Sequence, residues 1–117
     1  MPQQFTATAQ WRADVAVVSV TGEVDSGTAP RLRALLDEVR QRGPRVVVVD
    51  LREVSLLASA GLATLIAVHD QALPDVLVRI VAPSTAPAMR SVLLTGLDEL
   101  LAVHPTVEAA LVDQPDG

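Results

Sequence analysis

Cysteine, lysine and tyrosine are missing from this 117-residue chain, which holds one Phe, one Trp and two His. Without cysteine there are no disulfides, thiolate metal sites or cysteine nucleophiles. His69 and His104 are the only imidazoles, far apart in the chain and without neighbouring ligands. No metal site, catalytic set or cofactor is expected from them. The lack of lysine excludes Schiff-base chemistry and a lysine-bearing phosphate loop. All nine basic residues are Arg, against 14 acidic ones, for a net charge of -5. That balance argues against nucleic acid, whose phosphates call for clustered positive charge. Arg40, Arg42 and Arg45 do lie close together, but Asp37 and Glu38 adjoin them, as on a solvated helix end.

Long hydrophobic runs are also missing. No window reaches the 18 apolar residues of a membrane span, and Met1-Pro2-Gln3-Gln4-Phe5 lacks the charged and apolar regions of a signal peptide. A cytoplasmic location without membrane insertion is the expectation. The chain is nevertheless half hydrophobic, chiefly Leu, Val, Ala and Ile, which suits one domain with a sheet covered by helices.

The patterning gives the order of elements. Phe5 to Ala9 alternates and Val15 to Val20 is a β-branched run, with Arg12-Ala13-Asp14 between them, so the pair reads as an antiparallel hairpin. Leu32, Leu35, Leu36 and Val39 fall three and four apart, with Arg31, Arg33, Asp37 and Arg40 on the other face. This predicts an amphipathic helix closed by Gly43-Pro44. Val46 to Leu51 is an unbroken apolar run save Asp50, expected at the centre of the sheet. A loop through Glu53-Val54-Ser55 leads to Ser59-Ala60-Gly61, followed by a helical run from Leu62 to Ala72. Val76 to Val81 is the next strand. Pro83-Ser84-Thr85 opens a helix turning Met89, Val92 and Leu93 inward and ending at Gly96. A helical turn and short edge strand follow within Leu97 to Val103, then a last helix from Pro105-Thr106 with Val107, Ala110 and Leu111 on one side. The expected fold is a single α/β domain over residues 1–112, with a mixed sheet of about four or five strands and about four helices. Residues 113–117 read as a short flexible tail. Right-handed crossovers bring the loops after the two central strands together at the sheet's carboxyl edge, where sites form in open α/β sheets.

Two stretches at that edge carry more than architecture. One is Val18-Ser19-Val20-Thr21-Gly22-Glu23-Val24-Asp25; the other runs from Val46 to Leu65 and holds Leu57-Ala58-Ser59-Ala60-Gly61-Leu62. In this order they resemble the STAS family. Its pattern is a strand ending in a Thr-Gly-Glu-Leu-Asp-like turn, then a Val/Ile-rich strand ending in Asp-Leu, then an Asp-Ser-Ser-Gly-Leu-like loop opening a helix. Gly96-Leu97-Asp98-Glu99-Leu100-Leu101 is also similar to the family's end, so the likeness runs from about Phe5 to Leu111. Within the family the chain is most similar to free-standing bacterial anti-sigma factor antagonists. That resemblance implies a partner switch. The domain binds an anti-sigma factor of the serine-kinase type and so releases a sigma factor, under control of a phosphorylated Ser that here matches Ser59. The Asp of the first motif matches Asp25. Ala58 stands where the family carries Asp, and Ala60 replaces the second Ser, which bears on phosphorylation and its control but not on the fold.

The partner-binding candidates are Glu23, Asp25, Leu56, Leu57, Ala58, Ser59, Ala60, Gly61 and Leu62. Each has a plainer reading. Ser59 caps the helix it precedes. Asp25-Ser26-Gly27-Thr28 is ordinary turn chemistry. Leu56, Leu57 and Leu62 are core residues as readily as an interface. Val46 to Asp50 also superficially resembles the phosphoacceptor strand of a response-regulator receiver, but such a domain needs an early acidic cluster and a late lysine. Ser59 lies in no Gly-x-Ser-x-Gly elbow, so no catalytic residue and no enzyme activity are expected. A role as an accessory or structural subunit of a transporter or stress-signalling assembly is the alternative, with a monomer or weak dimer expected in either case.

Overall fold

The computed structural model describes residues 4–112; the expected tail at 113–117 lies outside them. β1 (Thr6–Arg12) and β2 (Val15–Val24) form the predicted hairpin, closed at Arg12↔Val15 by a tight turn with Ala13 at φ 54°. Arg45 ties that turn to the next strand: its backbone N–H donates to the Asp14 carbonyl at 2.8 Å, and its Nε meets Asp14 Oδ2 at 3.1 Å. After α1 (Ala29–Gln41) come β3 (Val46–Leu57), α2 (Ser59–Ala72) and β4 (Leu77–Val81). The remainder is α3 (Pro87–Thr95), a single turn α4 (Leu97–Leu100), β5 (Ala102–His104) and α5 (Val107–Leu111). The five-stranded sheet has the order β1-β2-β3-β4-β5, antiparallel at the hairpin and parallel thereafter, so β3 is central as expected.

Alternation along the strands sorts the core into two unequal layers. Val18, Val47, Val49, Leu51 and Ile80 belong to the main core with Leu32, Leu36 and Val39 of α1, Leu62, Leu65 and Val68 of α2, and Val92 and Leu97. Val15, Val17, Val46, Val48 and Val81 face the other way, where α5 seals them with Val107 and Ala110. β3 therefore carries apolar residues on both faces, which is why its run does not alternate with polar ones.

Three expectations needed correction. Glu53-Val54-Ser55 is not a loop, because β3 continues to Leu57 by pairing with β2, which itself runs four residues beyond Val20, to Val24. α3 begins at Pro87 rather than Pro83. The Ala86 N–H closes a turn on the Pro83 carbonyl at 2.9 Å, and Pro87, having no N–H to lose, takes the first helical turn. Leu93 points outward at 59% exposure, since Ala88 and Val92 already set the buried stripe of this short helix. Gly96 does end it, in the left-handed conformation at φ 74°.

Candidate functional site

The strand extensions build the site's floor. Beyond Ser19 the β2–β3 ladder shifts register, then resumes with Thr21↔Glu53, Gly22↔Val54, Glu23↔Leu56 and Val24↔Leu57. Two bulge-like steps let both strands run past the sheet's body and finish side by side. The Ala58 N–H then donates to the Val24 carbonyl at 2.9 Å, fastening the residue before Ser59 to the residue before Asp25. Gly61 sets how close the helix can come. A Cβ there would sit 2.7 Å from Val24 Cγ1 and 2.8 Å from Leu57 Cδ1, so only glycine lets the first turn of α2 press onto both strand ends. The sequence signal was a lone glycine inside an otherwise apolar helix, which the motif reading did not turn into a packing role.

Asp25 and Thr28 lock the first loop. Asp25 Oδ1 accepts from the N–H groups of Gly27 at 2.9 Å and Thr28 at 3.1 Å, and the Asp25 N–H donates back to Thr28 Oγ1 at 3.0 Å. The Thr28 hydroxyl donates to the Glu23 carbonyl at 2.7 Å, and the Ala29 N–H donates to the Asp25 carbonyl at 2.8 Å. These reciprocal bonds resemble those of a capping box but close the turn before α1, whose own cap residue is Thr28, with no side-chain cap. Asp25, itself half-buried, therefore has a structural task at Oδ1, while its Oδ2 accepts no hydrogen bond among the described residues.

Ser59 differs from expectation. The residue at the cap of α2 is Ala58, in extended conformation at φ -83° and ψ 173°, and no side chain caps the helix. Ser59 is the first helical residue, exposed, and its hydroxyl has no hydrogen-bond partner among the described residues. The helix closes instead through its backbone, the Gly61 and Leu62 N–H groups both reaching the Ala58 carbonyl at 2.9 and 3.1 Å. N–H groups at such a start lack intrahelical acceptors and favour negative charge.

The apolar candidates separate cleanly. Leu57 and Leu62 are 2% and 7% exposed and belong to the core, whereas Leu56 is 45% exposed beside the half-buried Glu23. Ala58 and Ala60 are half-buried and Gly61 is buried. The accessible patch thus consists of Glu23, Asp25, Leu56, Ala58, Ser59 and Ala60, with Leu57, Gly61 and Leu62 beneath it as support.

Asp50 is buried at 6% exposure and held by Arg52, with Nε to Oδ1 at 2.9 Å and Nη2 to Oδ2 at 2.7 Å. This pairing raises the Arg52 guanidinium above its ordinary range, the hydrogen bond to Asp50 contributing most. A carboxylate engaged on both oxygens is an anchor, not a phosphoacceptor. No group of three metal-ligating side chains occurs among the described residues, and none of their helices is long and apolar enough to cross a membrane. Of the Arg cluster, Arg42 and Arg45 are exposed as expected, Arg42 meeting Glu38 at 3.8 Å, whereas Arg40 is half-buried, meets Asp37 at 3.5 Å, and keeps a buried Nε without a hydrogen-bond partner among the described residues. His69 and His104, by contrast, line one cavity despite their separation in sequence. The His104 imidazole is pushed below its ordinary range, first by burial and then by the charge of Arg79.

Comparison with known proteins gives a consistent result. Residues 6–110 match the STAS domain family. The chain is 34% identical over 116 residues to the anti-sigma-F factor antagonist RsfB of Mycobacterium tuberculosis, covering 99% of this chain and 94% of that one. Its fold is similar to the crystal structure of an anti-sigma factor antagonist from Mycobacterium paratuberculosis, with a TM-score of 0.86, 35% identity and 92% of each chain covered. The unphosphorylated anti-sigma factor antagonist SpoIIAA shares the fold at 17% identity, with a TM-score of 0.70 over 92% of this chain and 93% of its own.

Proposed function

The chain belongs to the STAS domain family, and from that membership we propose that it is an anti-sigma factor antagonist, binding an anti-sigma factor and so freeing a sigma factor in the cytoplasm. The observation that carries this reading is the likeness to RsfB over 99% of this chain and 94% of that one. The geometry supports it with a docking patch of suitable make-up. Leu56 offers apolar contact, Glu23 and Asp25 Oδ2 offer carboxylates for a partner's Arg or Lys, and α2 presents its start beside them. Charges so placed fix the orientation of a partner, and the apolar surface between them supplies contact area.

Ser59 is the switch position in this reading, and the partner is an anti-sigma factor of the serine-kinase type. Three features support it: the hydroxyl is exposed, it is committed to no hydrogen bond, and a phosphate there adds about two negative charges at a helix start that tolerates them. The domain stays folded while the docking surface becomes anionic. Ala58 in place of a carboxylate removes one source of repulsion from that phosphate.

The test is displacement. A preformed complex of sigma factor with a serine-kinase-type anti-sigma factor from the same genome is mixed with the purified protein and resolved by gel filtration. Free sigma factor and a new complex of the chain with the anti-sigma factor are expected. Failure to form that complex with any such anti-sigma factor of the genome overturns the assignment. Incubation with the same partner and ATP, followed by mass spectrometry, tests Ser59 separately.

A further inference from the structure

The cavity that joins the two histidines lies on the flank of the sheet, away from the Ser59 patch. β5 pairs with β4 only from Arg79 onward, so the Leu77 end of β4 has no strand neighbour on that side, and a cavity of about 630 Å³ opens there. Leu77, Leu100 and Ala102 form apolar walls, and Leu77 and Leu100 stay 43% and 56% exposed at its mouth. Arg79, His69 and His104 bring the polar atoms.

Arg79 is the unusual residue. It sits in the interior of an apolar strand, between Val78 and Ile80, and is only 7% exposed. Its Nη1 donates to the Ala110 carbonyl at 2.8 Å and lies 3.5 Å from that of Val112, and no carboxylate pairs with it among the described residues. A guanidinium keeps its proton, and a buried charge is costly unless an opposite charge answers it. Beside it, the Nε2 of His104 and the Nδ1 of His69 are closed off from solvent and have no hydrogen-bond partner among the described residues. Among the described residues the cavity therefore has in its lining a guanidinium that no carboxylate answers, beside two histidines, and apolar walls with more room than a bare anion would fill.

We propose that this cavity is a binding site for a small amphipathic carboxylate, with the carboxylate on Arg79 and His104 and the apolar body against Leu77, Leu100 and Ala102. The charge decides the class. One guanidinium next to a neutral imidazole balances a single negative charge, so a carboxylate is matched where a phosphate dianion would be left half unanswered. The carboxylate takes a charge-assisted hydrogen bond from Arg79 and a second from the His104 imidazole. His69, on the α2 side, meets whatever polar group the far end of the ligand carries. The site is independent of partner docking at Ser59.

Octanoate is the probe, titrated into the ¹⁵N-labelled full chain, with octan-1-ol and inorganic phosphate in parallel. Saturable shifts confined to Leu77–Arg79, Leu100–His104 and the His69 region are expected. Octanoate should bind about tenfold or more tightly than octanol, and phosphate should bind weakly. Arg79→Gln should bring octanoate and octanol to equal affinity. Because that variant also loses a contact to α5, Ala102→Phe serves as a second one. It fills the cavity from an exposed position, and should abolish octanoate binding with an unchanged melting temperature. Octanol binding as tightly as octanoate to the unaltered chain overturns the proposal, as do shifts centred elsewhere or octanoate affinity unaffected by Ala102→Phe.

Discussion

Two loops meet at the carboxyl end of the central strands, and they are built in opposite ways. The one before α1 spends its polar groups on itself, with the Asp25 and Thr28 side chains answering each other's backbone and Glu23 receiving the remaining hydroxyl proton. The one before α2 spends none, since Ala58 offers no capping atom and Ser59 keeps its hydroxyl free. A rigid turn next to an uncommitted nucleophilic oxygen gives a partner a fixed frame and a kinase an accessible group. The difference also says where mutations should act, on stability in the first loop and on recognition in the second.

Ser59→Asp should have the largest effect and the sharpest contrast between the two readouts. A carboxylate buried uncompensated against the partner costs about 3 kcal/mol, on the order of a hundredfold in affinity. In the free protein the same group lies at a helix start, where it stabilises by about 0.3–1 kcal/mol. Isothermal titration with the anti-sigma factor and a thermal melt of one preparation should therefore move in opposite directions. Equal affinity for both forms ends Ser59's role as a switch.

Gly61→Ala should break the comparison by prying the two loops apart. Its Cβ would lie at 2.7 Å from Val24, and overpacking of this kind costs about 1–3 kcal/mol, read as a lower denaturation midpoint at unchanged slope. Asp25→Ala comes next, with about 1 kcal/mol of stability lost with the hydrogen bonds to the Gly27 and Thr28 N–H groups and a smaller loss of affinity through Oδ2. Asp25→Asn retains an oxygen for the Gly27 and Thr28 N–H groups and should recover most of that stability while leaving the affinity loss in place.

These stabilities must be compared at fixed pH, because His104 adds its own slope. Its folded-state pKa lies below the ordinary value of about 6.5, so the unfolded chain takes the proton first. The contribution is whole above that value and is lost as pH falls from there towards the lowered folded value. Denaturant titrations between pH 5 and 8 should show His104→Gln flattening that part of the profile. The smallest effect belongs to Ser59→Ala. With no cap to lose, it should change stability by less than about 0.5 kcal/mol, where a capping serine would have cost about 1.

How much of this was legible depended on whether a feature was local. The hairpin, the 3.6-residue stripe of α1, the doubly buried Val46 run and the stop at Gly96 each follow from neighbours in the chain, and each is found. The extension of β3 through Val54 to Leu57 was not visible, because Glu53 and Ser55 read as loop until β2 is laid beside them. Ser59 passed for a cap because serine commonly is one; only the extended backbone of Ala58 moves the cap back by one residue. Leu57 and Leu62 were ambiguous for the same reason, since their burial is decided by Val24 and Gly61 across the sheet's edge. The meeting of His69 with His104 is a tertiary fact with no local signature. Arg79 had one, a charge inside Leu77-Val78-Arg79-Ile80-Val81, which the strand pattern concealed.

The strand order has a consequence for how the chain assembles. Each strand pairs with its immediate predecessor in sequence, so the sheet can grow outward from the β1–β2 hairpin one unit at a time, each later closure spanning one helix and its turns, with the single-turn α4 added before β5. No pairing waits for a distant segment, which favours quick folding for a largely parallel sheet. The exception is the second face, where Val15, Val46 and Val81 remain wet until the five-residue α5 arrives at the very end. During synthesis that face stays an exposed valine surface longer than any other part of the protein, and α5, though the least of its main helices, is the piece that ends the exposure.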